Sequence, residues 1–325
     1  MEAGAFERLV AALHESPGVA AKADIGLVAK RLGLVGGVIP VGDDCAAIPD
    51  GEGHLLFAIE GFINQFVAAD PWFAGWCGAM VNLSDIAAMG GRPIALVDAV
   101  WADGEDAASP ILEGLRAAAS TYGVPIVGGH SNLRTAQGQL AVAVLGRAER
   151  HLLTSFDARP GDVLVAAIDH RGAYREPFDN YQAALAAPPE RLRRDLALLA
   201  EIAEAGLARA AKDISQGGIP GTAAMLAESS GVAIEIDLDA IKAPPGIPLD
   251  RWLKTFPSFG FLISVAPARL EALLSGFHAR DLHAAPIGAV RYGHEVALVS
   301  GAQRAVLRDF TRGPLMGFGP MESVP

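Results

Sequence analysis

The strongest constraint on the fold is the alternation of helix-like and strand-like segments in both halves of the chain. Hydrophobic periodicity with capping signals predicts helices over 5–15, 24–33, 70–89, 109–123, 190–206, 217–230 and 267–277. Strand-like runs lie at 54–59, 94–101, 139–147, 163–166, 232–237, 259–265 and, as a pair, 284–299. Because such alternation is typical of sheets covered by helices, we predict an α/β (α+β) fold.

The length predicts two domains. The chain has 325 residues, 51% of them hydrophobic and 19% charged, which is enough apolar material for sizeable cores. The composition changes to charged and turn-forming residues at Arg159-Pro160-Gly161-Asp162, which precedes an apolar strand. We therefore place the boundary near 150 and predict domains over 1–150 and 151–325.

The charge and hydropathy of the chain argue against nucleic-acid binding, membrane insertion and secretion. Asp and Glu number 37 against 26 Lys and Arg, a net charge of -11 that opposes nucleic-acid binding. No uncharged apolar run reaches the ~18 residues of a membrane helix, and the N-terminus lacks the pattern of a signal peptide. We expect a cytoplasmic protein whose partners are small molecules. Cys45 and Cys77 lack metal-site or redox spacing and are expected to be packing thiols.

The helix at 70–89 carries the most informative polar residues. Asp70-Pro71 can start it and Gly90-Gly91 can end it, and most positions between are apolar or small. Its last two turns nevertheless contain Asn82, Ser84 and Asp85. An acid near a helix C-terminus and among core residues is disfavoured by the helix dipole and by desolvation. Asp85 is therefore expected to bind a cation, unless it simply points to solvent.

Four further acids occur next to glycine turns or at a strand end. Asp43 and Asp44 follow Gly42, Glu60 ends the first predicted strand, and Asp213 precedes a glycine-rich helix entry. Each alone is also compatible with an ordinary solvated turn. If the fold gathers them with Asp85, their mutual repulsion requires divalent cations, and oxygen ligands favour Mg²⁺ or Ca²⁺.

Two glycine-rich segments offer places for phosphate. The helix entry contains Ser215 and Gly217, and its free N–H groups can receive an anion, although such entries are also common in helices without ligands. Gly128-Gly129-His130 is predicted to be a loop after a strand, with His130 a ligand, a base or a plain loop residue. Mg²⁺ together with glycine-rich loops indicates a nucleotide phosphate. The Walker, protein-kinase and Gly-x-Gly-x-x-Gly motifs are absent.

Several of these segments resemble, in order, the aminoimidazole-ribonucleotide (AIR) synthetase superfamily, which includes thiamine-monophosphate kinase, selenophosphate synthetase and the hydrogenase-maturation dehydratase. Gly42-Asp43-Asp44-Cys45-Ala46-Ala47-Ile48, residues 81–93 and residues 125–129 are similar to its amino-terminal domain. Residues 213–232 and 258–265 are similar to its carboxy-terminal domain. The resemblance extends over roughly residues 38–300 and is closest to thiamine-monophosphate kinase at 81–93.

The resemblance implies an amino-terminal sheet domain that forms a homodimer, a carboxy-terminal α/β domain, and a cleft for ATP and Mg²⁺. It matches Asp43 and Asp85 to metal-site acids, with Asp44 accompanying them, and Asp213 to the metal acid of the second domain. Ser215 corresponds to a phosphate-contacting serine, with Gly217 two residues after it, and Gly128 and Gly129 correspond to the nucleotide-side loop.

Three positions depart from the kinase pattern. Ala58-Ile59-Glu60 replaces Ser-Thr-Asp, so that Glu60 keeps a carboxylate while a hydroxyl ligand is lost. His130 and Gln216 each replace an acid. The cysteines that mark selenophosphate synthetase and the hydrogenase dehydratase are absent. An AIR synthase-related branch of its own is therefore expected.

The leading hypothesis is an ATP- and Mg²⁺-dependent enzyme that activates a small substrate by phosphoryl transfer. A nucleotide-binding subunit that has lost transfer activity is the first alternative, and a metal-independent protein whose His130 contacts an anion is the second. A homodimer is expected because Trp72, Phe73 and Trp76 give the helix at 70–89 more apolar surface than one small domain can cover.

Overall fold

The computed structural model describes residues 1–34 and 39–319. Its helices are α1 (Ala3–His14), α2 (Pro17–Ala20), α3 (Ala23–Leu32), α4 (Asn64–Ala69), α5 (Pro71–Ala88), α6 (Glu105–Tyr122), α7 (Pro189–Glu204), α8 (Gly218–Ser230), α9 (Leu249–Trp252) and α10 (Leu270–His278). Its strands are β1 (Ala46–Asp50), β2 (Gly53–Phe62), β3 (Arg92–Asp103), β4 (Ile126–Asn132), β5 (Arg134–Ala148), β6 (Val163–Ile168), β7 (Ala173–Tyr174), β8 (Asn180–Gln182), β9 (Ala210–Asp213), β10 (Ala233–Asp237), β11 (Phe256–Pro257), β12 (Gly260–Val265), β13 (His283–Arg291), β14 (Glu295–Ser300) and β15 (Gln303–Asp309).

The described residues form two compact units. The seven-stranded unit comprises Met1–Asp43, Leu153–Leu185 and Ala205–Pro325, and the five-stranded unit comprises Asp44–Leu152 and Ala186–Glu204. The segment before Asp44 therefore packs with the second half of the chain, and α7 packs with the first half. The division into domains 1–150 and 151–325 stays a prediction, while the α/β class is confirmed by the sheets and helices themselves.

The five-stranded unit is built on a sheet of order β1-β2-β5-β3-β4. All neighbouring strands are antiparallel except β3 and β4, which are parallel. Helices α5 and α6 pack against each other at a point where neither helix has a side chain. A Cβ at Gly75 would lie 1.9 Å from the carbonyl oxygen of Ile111, and a Cβ at Gly114 would lie 1.9 Å from that of Trp72. The two glycines therefore permit backbone contact between the helices.

Helix α5 begins as predicted, because the Asp70 side chain accepts a hydrogen bond from the Phe73 N–H at 3.1 Å. Nearly the whole helix is buried inside the five-stranded unit. Phe73 and Trp76 belong to this core, and Trp72 stacks on Trp76 with ring centroids 5.6 Å apart. The apolar-surface argument for a dimer through these aromatics was therefore wrong, because Phe73 and Trp76 are buried in the unit's own core.

The opposite face of the same sheet carries exposed side chains in the part of the chain that the structure describes. Its central strands carry several exposed side chains, and the large apolar ones among them include Phe57 at 48%, Ile59 at 65%, Val97 at 38% and Leu145 at 36%. The register places Phe57 opposite Leu145, so these side chains lie on one face. The exposed apolar area that the sequence assigned to α5 is found on the sheet instead.

The prediction of a loop at Gly128-Gly129-His130 was wrong. These residues lie inside β4, whose seven residues are all exposed at the edge of the sheet. β4 follows Val124-Pro125 and contains two adjacent glycines, which are depleted in strands, so local propensity indicated a loop. Parallel pairing with β3, in which Gly129 lies opposite Asp98, is the long-range interaction that makes the segment a strand.

The seven-stranded unit has a mixed sheet of order β15-β14-β10-β13-β6-β12-β9 and a small sheet of order β11-β8-β7. Its core is continuous from the sheet to α8 and to the N-terminal helix α1, through Phe6, Leu9, Val10 and Leu13. This burial explains why the first residues of the chain pack with its second half. None of the helices in the described ranges has the length and apolarity that a membrane crossing requires.

Candidate functional site

Two of the five predicted acids meet in the five-stranded unit. Asp85 is buried in the last turn of α5, and Asp44 lies partly buried just before β1. A carboxylate oxygen of each lies within 4.8 Å of one of the other. At this separation two negative charges repel by roughly 3–4 kcal/mol at an effective dielectric of 20. The pair is therefore an arrangement that a hard divalent cation would stabilise.

Asp43 has different partners, although it is adjacent to Asp44 in the chain. In the seven-stranded unit its side chain is 1% exposed and accepts a hydrogen bond from the Ser155 N–H at 2.7 Å and another from the Ser155 hydroxyl. The Lys212 ammonium lies 3.8 Å from the same carboxylate. Donors from the protein thus engage both oxygens of Asp43. That Asp43 binds a metal stays a prediction, but these contacts favour an anchoring role, in which Asp43 holds its own segment against Ser155 and Lys212.

Glu60 lies within β2, two residues before its end, and is paired in register with Val142 of β5. Val142 is paired on its other side with Asp98 of β3, so the two acids occupy one row across three strands. Burial raises the pKa of the Asp98 carboxyl, while a hydrogen bond from its own backbone lowers it by less. Sequence analysis overlooked Asp98, because it lies in a strand with no flanking turn signal.

Gly129 makes room for Asp98. A Cβ at Gly129 would lie 2.6 Å from Oδ1 of Asp98 and 2.5 Å from its carbonyl oxygen. Gly128, by contrast, has open space around it. His130 lies in β4 with its ring 5.6 Å from that of Trp101, centroid to centroid. That Gly128, Gly129 and His130 contact the nucleotide therefore stays a prediction. The structure places these residues in the edge strand β4 and not in a loop.

Asp213 is the last residue of β9 and is buried in the seven-stranded unit. Ile214 to Gly217 form a loop, which we call the 214–217 loop, before α8 begins at Gly218. Ser215 is partly exposed in this loop, and its hydroxyl accepts a hydrogen bond from Lys22 Nζ at 3.2 Å. Sequence analysis did not single out Lys22, because 193 residues separate it from Ser215.

An aromatic cluster lies elsewhere in the seven-stranded unit. His170 stacks on His283 with ring centroids 4.2 Å apart and meets the buried Trp252 edge-on. Desolvation, followed by the nearby His283, lowers the pKa of His170 to about 4. The imidazole is therefore neutral at pH 7, and its buried Nε2 has no hydrogen-bond partner in the described residues. We interpret the cluster as apolar packing.

Family models match most of the chain. The model of the AIR synthase related protein N-terminal domain matches residues 42–148, and that of the C-terminal domain matches residues 152–300. An uncharacterized protein of Synechocystis sp. is 44% identical over 316 residues, which is 95% of this chain and 98% of that protein. Thiamine-monophosphate kinase of Methanospirillum hungatei is 31% identical over 212 residues, 62% of this chain and 71% of the kinase.

A solved structure shares the fold. PurL of T. maritima in complex with ADP superposes with a TM-score of 0.72 and 18% sequence identity, over 86% of this chain. The chain spans 46% of that PurL chain, or about half its length. At this identity the likeness establishes the architecture alone.

Proposed function

The chain belongs to the AIR synthase related family, and from this premise we propose that it is an ATP- and Mg²⁺-dependent enzyme that activates a small substrate by phosphoryl transfer. The observation that carries the proposal is the proximity of the Asp44 and Asp85 carboxylates in the five-stranded unit. Mg²⁺ in proteins is commonly held by one or two carboxylates together with substrate phosphates, so this pair fits the ion. The ADP bound to PurL and the activity of the kinase relative support a nucleotide as the phosphate source.

The proposal assigns metal binding and phosphate binding to different residues. Asp44 and Asp85 would hold Mg²⁺, and this ion would neutralise charge on the nucleotide phosphates. In the seven-stranded unit, the resemblance implies that Asp213 would bind a metal ion and that Ser215 would contact phosphate. Since phosphoryl transfer depends mainly on positioning and electrostatics, the mechanism needs no covalent nucleophile from the chain.

The test is calorimetric titration of the purified protein with ATP, with and without Mg²⁺, followed by an ADP-release assay. The acceptor panel contains small molecules with free hydroxyl, amide or phosphate oxygens, including thiamine monophosphate. Acceptor-dependent ADP release supports the proposal. Mg²⁺-dependent ATP binding without turnover on any acceptor favours the nucleotide-binding subunit. Absence of ATP binding at millimolar Mg²⁺ overturns both.

We propose a homodimer in which the exposed face of the five-stranded sheet meets the same face of a second copy. Phe57 lies near the centre of this face, and a charge there would be buried without a partner in the dimer. We expect wild type at about 67 kDa, twice the chain mass of 33.7 kDa, and Phe57→Asp at about the mass of one chain. Light scattering at micromolar concentration measures both.

Tyr292→Asp is the matched control, because Tyr292 is 91% exposed in the seven-stranded unit and should tolerate a charge without changing the mass. A wild-type mass of one chain throughout the concentration range rules the dimer out. A dimer that persists in Phe57→Asp places the interface elsewhere.

A further inference from the structure

Lys22 lies against the 214–217 loop. It precedes α3, is half-buried, and donates a hydrogen bond from Nζ to the hydroxyl of Ser215 at 3.2 Å. An ammonium group has three N–H donors, and Ser215 accepts only one of them. The other two have no protein acceptor in the described residues. The serine hydroxyl, as an acceptor from Lys22, also keeps its own hydrogen for donation.

Close packing of α2 fixes the position of Lys22. A Cβ at Gly18 would lie 2.1 Å from the carbonyl oxygen of Gln216 and 3.3 Å from the backbone nitrogen of Gly217. Next to it, Val19 packs on Gly221, where a Cβ would lie 3.1 Å from the valine methyl group. The backbone of α2 therefore touches the 214–217 loop directly. Lys22 follows Gly18 by four residues and Val19 by three, so these contacts set its reach to Ser215.

The charge at this loop suits an anion. Gln216, which follows Ser215, is exposed and uncharged, so it does not neutralise the ammonium group. A phosphate oxygen next to Ser215 can accept one hydrogen bond from the hydroxyl and one from Lys22. Hydrogen bonds between a cation and a phosphate are about twice as strong as those between neutral groups.

We propose that Lys22 is a phosphate-binding residue that contacts the nucleotide phosphates together with Ser215. The inference rests on the proposed function, which assigns Ser215 to those phosphates. It adds a cation from the N-terminal segment to the serine and glycine of the 214–217 loop, within the seven-stranded unit. The competing explanation is structural, namely that Lys22 only ties α2 to the 214–217 loop.

The experiment compares Lys22→Met with Lys30→Met, which removes the same charge from an exposed position on α3. Calorimetry measures the affinity of the full chain for ATP and for adenosine in the presence of Mg²⁺. Loss of one charge-assisted hydrogen bond should weaken ATP binding about 10–100-fold in Lys22→Met. Adenosine, which has no phosphate, should bind both variants and wild type equally, and Lys22→Arg should recover part of the ATP affinity.

Thermal unfolding of each variant separates the two explanations. A lowered melting temperature in Lys22→Met with unchanged ATP affinity overturns the inference and assigns Lys22 a structural role. A parallel loss of ATP and adenosine affinity also overturns it, because it indicates distortion of the whole site. If wild type binds no ATP, the proposed function fails first. If wild type binds ATP and Lys22→Met binds it equally well, only the inference about Lys22 fails.

Discussion

Replacing Asp43 with alanine is expected to lower the free energy of unfolding by about 3–5 kcal/mol, the usual cost of removing one partner from a buried ion pair. The side chain of Asp43 is 1% exposed and that of Lys212 is 5% exposed, with Nζ and Oδ1 3.8 Å apart. The substitution leaves the Lys212 ammonium without this anion and the two donors of Ser155 without their acceptor. Urea denaturation followed by circular dichroism measures the loss.

Two comparisons make this result specific. Asp43→Asn keeps an oxygen acceptor for Ser155 and removes only the charge, so its loss should be smaller than that of Asp43→Ala. Asp50→Ala removes an exposed acid that pairs with Arg147, and an exposed ion pair contributes about 0–1 kcal/mol. If Asp43→Ala instead unfolds like wild type and loses Mg²⁺-dependent nucleotide binding, Asp43 is a metal ligand and the anchoring role is wrong.

Replacing Asp85 with asparagine should, in contrast, weaken nucleotide binding and leave the stability of the fold unchanged or slightly higher. We expect Mg²⁺-dependent nucleotide affinity to fall by more than the roughly 10–100-fold that altering an outer-shell partner of a metal ligand costs, because a direct ligand is lost. The fold should be retained or slightly stabilised, because the change removes repulsion between Asp85 and Asp44. Titration with ATP and Mg²⁺, together with thermal unfolding, measures both quantities.

Asp106→Asn provides the matched control for Asp85→Asn. Asp106 is an exposed acid in the first turn of α6, so the variant makes the same charge change in the same unit, away from the carboxylate pair. Its nucleotide affinity should equal that of wild type. An Asp85→Asn protein that unfolds identifies Asp85 as a structural hydrogen-bonding acid. If the Asp85→Asn variant binds Mg²⁺ and ATP like wild type, Asp85 is not part of the site.

Interactions between near neighbours in the chain could be predicted from the sequence alone. The start of α5 at the Asp70 cap was correct, because the capping bond joins residues three positions apart. The end of α6 at Gly123 was also correct, since a glycine there adopts the left-handed conformation, φ 74°. The start of that helix was misplaced, because Pro110 lies inside it and not at its first turn. The family resemblance was confirmed as well, since its motifs are short and contiguous.

Which acids meet was decided by the tertiary structure. Asp43 and Asp44 are adjacent in a motif that pointed to one metal site, yet Asp43 binds Ser155, 112 residues away, while Asp44 lies near Asp85. The strand at Gly128-Gly129-His130 and the contact of Lys22 with Ser215 likewise depend on partners distant in sequence. Hydrophobic periodicity and helix caps reflect interactions between residues no more than about four positions apart in the chain. Ion pairs, sheet register and site composition depend on segments that only folding brings together, so for this protein the sequence determined the α/β class and the family, and the tertiary structure determined which residues share a site.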